Sequence, residues 1–173
     1  MKEASARHSV QDHPQWPDVR RLVMRSRYVS MASTDPDGHP RVTPIGSLML
    51  KRDGTGCYGQ LFAHGLGQNV DRDDRVTILA VSASKWLWLD ALIRGRFRRV
   101  PGARLRARIG ALRDSTEVER RIWFRRIRGV RWTRGSKMIW EKLPHVREVT
   151  IESIEPVRIG PLTRHLWPAG PRA

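Results

Sequence analysis

Four short stretches carry β-branched and apolar residues at strand length: YVSMAS (28–33), RVTPIGSLML (41–50), CYGQLFA (57–63) and RVTILAVS (75–82). What separates them is turn chemistry. TDPDGH places Pro36 and Asp37 at the centre of a turn and Gly38 at a left-handed closing position, and KRDGTG repeats the device with Asp53 and Gly54. The third separator, HGLGQNVDRDD, is too long for a hairpin and has room for one to two helical turns. Ahead of the strands, WPDVRRLVMRSR sets Pro17 and Asp18 at a helix start and Val19, Leu22 and Val23 on one face, predicting a short amphipathic helix.

Beyond residue 88 the period of two persists. LDALIRGRFRRV (89–100) alternates Arg94, Arg96 and Arg98 with Ile93, Gly95 and Phe97 and reads as a further strand; ARLRARIGAL (103–112) does the same with Arg104, Arg106 and Arg108. From Ser115 the period changes. STEVERRIWFRRIRGV has a Ser/Thr cap followed by glutamate, with Ile122, Trp123, Ile127 and Val130 on one helical face and Arg120, Arg121, Arg125, Arg128 and Arg131 on the other. GSKMIWEKL predicts a second short helix, with Trp123 and Trp140 in the core, and HVREVTIESIEPVRIG returns to alternation until Pro156. The expected fold is α+β: a mostly antiparallel β-barrel with peripheral helices, one domain over residues 14–167, flanked by flexible tails at 1–13 and 168–173.

Composition adds a partner question. A chain of 173 residues can bury a sizeable core, and its one cysteine, Cys57, excludes an internal disulfide and any multi-thiol zinc site. The six histidines show no metal-ligand spacing, and the signatures GxSxG, GxxxxGK[ST] and GxGxxG are missing, so any redox chemistry belongs to a cofactor. No apolar run suggests a leader or a membrane span, and the expectation is a cytoplasmic protein without a membrane partner. The formal charge is +16, and residues 94–135 hold fifteen arginines against Asp114, Glu117 and Glu119. So many guanidiniums suit an anionic partner, or form a solvated basic surface.

The succession VSMASTDPDGHPRVTPIGSLML, LFAHGLGQNVDRDDRVTILAV, WLDALIRGRFRRV resembles the flavin mononucleotide (FMN)-binding split-barrel family that includes pyridoxamine 5'-phosphate oxidase, over about residues 17–100. The resemblance implies a homodimer holding FMN between subunits and acting as an oxidoreductase on a small substrate. It places Arg41, Val42, Thr43 and Pro44 along the ring and ribityl chain, and His64, Gly65, Gln68 and Asn69 toward the phosphate at a helix start. Lys85, Trp86, Trp88 and Asp90 fall where the family sets groups beside the ring or its polar edge.

Two features depart from that family's pattern. His64-Gly65-Leu66 stands where the oxidase has a cationic Ser-Arg-Lys run, and RHLWP does not reproduce its C-terminal substrate motif, so vitamin B6 oxidation is not carried over. Relatives on the same fold bind a deazaflavin or haem, which the arginines also suit. A cofactor-free polyanion or nucleic-acid binder stays open on charge, although no aromatic stacking platform accompanies the arginines. The site residues also have plainer readings: His64 as a locally bonded loop histidine, Thr43-Pro44 as a strand bulge, Asn69 as a cap.

Overall fold

In a computed structural model, which describes residues 10–61, 64–140 and 142–167, the alternating runs pair into one antiparallel sheet. Its strands are β1 (Val29–Thr34), β2 (Pro40–Ile45), β3 (Met49–Leu50), β4 (Thr55–Gly59), β5 (Arg75–Val81), β6 (Gly102–Asp114) and β7 (His145–Pro156), in the order β2-β1-β5-β6-β7-β4-β3. The helices are α1 (Trp16–Arg25), α2 (His64–Arg72), α3 (Lys85–Arg94), α4 (Glu117–Arg126) and α5 (Arg134–Trp140).

The edge strands are neighbours in the chain, and that forces the sheet to curl. Laid flat, six interstrand spacings would part β2 from β3 by about 29 Å, whereas the four Cα steps from Ile45 to Met49 reach at most about 15 Å. The sheet therefore rolls up until its edges approach across residues 46–48 without pairing, which makes a split barrel. Register shifts in the β6–β7 ladder after Arg106 and Ile109 help these two long strands bend. Met31, Tyr58, Ile78, Leu105 and Val149 point inward and are at most 1 % exposed. Val19 and Val23 of α1 join that core. Gly38 and Gly54 have φ of +85° and +87°, the left-handed turns read from the sequence.

Two expectations change. The polar stretch 1–13 reads as a tail, yet within it Val10–Asp12 forms a turn of 3-10 helix whose Val10 is buried against Gly54. More consequentially, the strand expected over 89–100 is not there. Ser84 caps a helix by accepting from the Leu87 amide, and Gly95 at φ +66° ends it. The alternation of Arg94, Arg96 and Arg98 spans a helix end and a loop, and the next strand is β6, where Arg104, Arg106 and Arg108 do share an exposed face. In α4 the cap is the one expected, Thr116 and Glu119 bonding reciprocally, and Trp123 and Ile127 are buried. Ile122 and Val130, expected on the same face, are 42 % and 43 % exposed: α4 covers only the small cluster over β3, β4 and β7, and it ends at Arg126, so Val130 sits in the turn beyond it. Phe62 and Ala63 lie outside the described residues, as do the side chain of Trp140 and residues 1–9 and 168–173. Among the described residues no helix is long and apolar enough to cross a membrane.

Candidate functional site

The hairpin leading into β2 is organised by Asp35. Its Oδ1 accepts from the amides of Asp37 and His39, and its Oδ2 accepts from Arg41 Nε at 3.0 Å. The Arg41 guanidinium, followed by the His39 amide, holds the Asp35 carboxyl below its ordinary range. Arg41 is thus committed to the turn while much of its side chain stays in solvent. Val42 points outward from β2 and is 66 % exposed, and Thr43 is half-buried.

Where β2 runs out, a groove of about 810 Å³ opens along the split between the sheet edges. Thr43, Pro44, Ile45 and Gly46 form one wall, Gly59 and Leu61 at the end of β4 another, and Trp123 of α4 closes it together with Ile127 and Val130 in the turn that follows the helix. Arg25 and Arg27 stand at the α1 end. Arg126 clasps the split: it donates to the carbonyls of Leu48, at 2.8 Å, and Ser26, at 2.6 Å, tying α4 to the β2–β3 crossing and to the end of α1. Nothing in the local pattern of α4 distinguishes Arg126 from its neighbours; its role comes from what lies across the split. Gly59 is small for a structural reason, since a Cβ there would run into the buried Leu143 side chain.

α2 begins three residues after Leu61. His64, Gly65 and Gln68 are exposed on it, and a Cβ on Gly65 would meet nothing within 4 Å. Asn69 faces inward, donating to the Ser33 hydroxyl at 3.0 Å. The helix is fixed further by Arg72, which donates to the carbonyls of Thr34, at 2.9 Å, and Asp35, and by the buried Arg147 of β7, which grips Asp71 at 2.8 and 3.0 Å. Arg147 was missed because its neighbours Val146 and Glu148 mark only a strand. Of the residues assigned to the site, Thr43 and Pro44 line the groove, and His64 starts the helix just beyond it. Arg41 and Asn69 are bonded near the hairpin end of β1 and β2.

Lys85, Trp88 and Asp90 are on α3 and do not line the groove. Trp88 donates its indole N–H to the Ser82 carbonyl at 3.1 Å and meets the Phe97 ring edge-on. Asp90 accepts from Arg94 at 2.6 Å, and Arg98 approaches it at 3.6 Å. A second cavity, of about 600 Å³, lies at the α3 start, floored by Leu79, Val81 and Leu87 and rimmed by Arg25, Arg27 and Arg99. Those three arginines have no carboxylate partner among the described residues.

The fold and the groove define the class, a split barrel with a ligand-sized cleft beside its open seam. The chain belongs to the pyridoxamine 5'-phosphate oxidase family, whose model matches residues 16–157. Among solved structures it is similar to an FMN-binding protein from Syntrophomonas wolfei, with 16 % identity, 87 % of this chain and 90 % of that one covered, and a TM-score of 0.62. It is also similar to HupZ of Group A Streptococcus, with 16 % identity, 83 % and 94 % coverage and a TM-score of 0.55. An F420 reductase shares the fold at 10 % identity, 79 % and 94 % coverage and a TM-score of 0.53. Comparison with curated proteins finds no match.

Proposed function

We propose that this protein is a flavin-dependent oxidoreductase that holds FMN in the seam groove at the interface of a homodimer and passes hydride to or from a small substrate. The observation that supports this reading most is the groove itself, in a chain of this family. Its chemistry fits a planar, anion-bearing group. Pro44, Leu61 and Ile127 offer apolar contact to a ring, Gly46 lets the β2 backbone come close, and Arg25 and Arg27 supply positive charge at one end. When bound, the flavin supplies the hydride chemistry.

The protein's part is to orient and to shield. Thr43 and Pro44 set one wall and Trp123 and Ile127 exclude water from another, while His64, Gly65 and Gln68, exposed at the start of α2 just beyond the groove, are assigned to the phosphate. No side chain has to act as an acid or a base. A second reading, a deazaflavin with a polyanionic tail, is favoured by Arg25, Arg27 and Arg99 at the neighbouring cavity, which have no carboxylate partner among the described residues.

The test is an absorption spectrum of the purified protein before and after titration with FMN, deazaflavin and haemin. Saturation near one flavin per chain is expected, with Thr43→Arg abolishing it while thermal melting is kept. Binding of the deazaflavin alone selects the second reading. Failure to bind any of the three overturns both.

A further inference from the structure

α3 turns an apolar arc toward solvent. At about 100° per residue, Trp86, Leu89, Leu92 and Ile93 fall within about 120° of each other around the helix axis. Their exposures are 80 %, 47 %, 69 % and 77 %, and Ala91 is the one buried residue of the helix. Cations surround the arc: Lys85 in the first turn, Arg94 in the last, and Arg96, Arg98 and Arg99 just beyond, all exposed. The one carboxylate between residues 85 and 99 is Asp90, already taken by Arg94 and Arg98. At the helix start, the smaller cavity is lined by Arg21, Arg25, Arg27 and Arg99, and by Asp18, which pairs with Arg21.

We infer that α3 docks the protein onto an anionic lipid bilayer. The helix lies in the plane of the interface, with Trp86, Leu89, Leu92 and Ile93 entering the headgroup–acyl boundary and the surrounding arginines on lipid phosphates. Ten residues of helix span about 15 Å, half the hydrocarbon thickness, so α3 rests on the membrane and does not cross it. Charge separates this partner from the others. A two-fold axis passing through the arc would bring the five cations of each copy up to the same five of its mate. A nucleic-acid backbone satisfies the arginines and leaves Leu89, Leu92 and Ile93 without a partner. An anionic bilayer meets both the charge and the apolar arc. The expectation of no membrane partner rested on the lack of a spanning segment, which a helix lying in the interface does not need.

The experiment is co-sedimentation of the full chain with vesicles of phosphatidylglycerol and phosphatidylcholine in equal parts, and with phosphatidylcholine alone. Wild type is expected to pellet with the anionic vesicles, less so as salt is added, and to stay in the supernatant with the neutral ones. Trp86→Ser/Ile93→Ser should weaken partitioning at least about tenfold with unchanged melting. Trp132→Ser, equally exposed but outside α3, should change nothing. The inference is overturned if wild type ignores anionic vesicles, or if the double variant pellets as wild type does. It is equally overturned if Trp132→Ser costs as much, or if the double variant lowers the oligomeric state in lipid-free sedimentation. None of these readings depends on a bound flavin.

Discussion

α1 and α3 are both ten residues long and put them to opposite use. In α1 the division is clean. Trp16, Val19 and Val23 are at most 3 % exposed, the Trp16 indole donates to the Arg52 carbonyl at 2.6 Å, and Arg20 reaches over to the Leu50 carbonyl at 2.9 Å. α3 is apolar on most of its circumference yet buries Ala91 alone. A helix with one apolar stripe finds its partner inside its own domain, whereas a helix apolar nearly all round needs a second surface, and the barrel supplies only one. The difference also shows in how each helix is held. α1 is gripped at its end by Arg126, while α3 depends on Ser84, Gly95 and the Trp88–Phe97 contact.

If the comparison is sound, substitutions on the two helices must part widely in stability. Trp16→Ala should cost about 3–5 kcal/mol in denaturant unfolding, through the lost volume and the unmet Arg52 carbonyl. Arg126→Ala strips two carbonyls of their donor and frees the end of α1, for about 2–3 kcal/mol, with the seam groove opening to faster amide exchange at Leu48 and Ser26 neighbours.

α4 adds a contrast that pH can test. The bidentate Arg113 guanidinium, and after it the Thr116 amide, holds the Glu119 carboxyl down at about 2 despite its partial burial. A depressed carboxyl contributes stability that is complete above its ordinary value near 4.5 and is lost as pH falls toward 2. Glu119→Gln should remove on the order of 2 kcal/mol at neutral pH and flatten the acid limb of a melting-temperature profile. The smallest effect belongs to α3: Leu89→Ser should stay within about 0.5 kcal/mol of wild type. A larger loss would show that the arc is already covered within the folded chain and would erase the contrast with α1.

The legible parts of the fold were the ones set by near neighbours. The DPDG and RDGTG turns, the Thr116–Glu119 cap and the outward arginines of β6 each depend on residues a few positions apart. The family pattern over the first hairpin marked Thr43 and Pro44, and both line the seam groove. The reading of 89–100 failed because a helix apolar on most faces lacks a 3.6-residue stripe, and chance alternation in its basic tail supplied a period of two. Ser84 and Gly95, ten helical residues apart, were the overlooked signal.

The charge shows the same limit. The arginines of β6 were visible as a row, but Glu152 and Glu155 arrive from β7, more than forty residues later, to pair with Arg108 and Arg106. Glu148 of the same strand meets Arg113. By itself, then, the sequence determined the local geometry: where the chain turns, where most helices start, and which strand faces are polar. Tertiary structure decided that the barrel stays split, that Arg126 clasps the split, which arginines a carboxylate reaches, and that α3 shows its apolar arc to solvent. Turns and caps are settled within a few bonds, whereas these features depend on which strand or helix folding brings alongside.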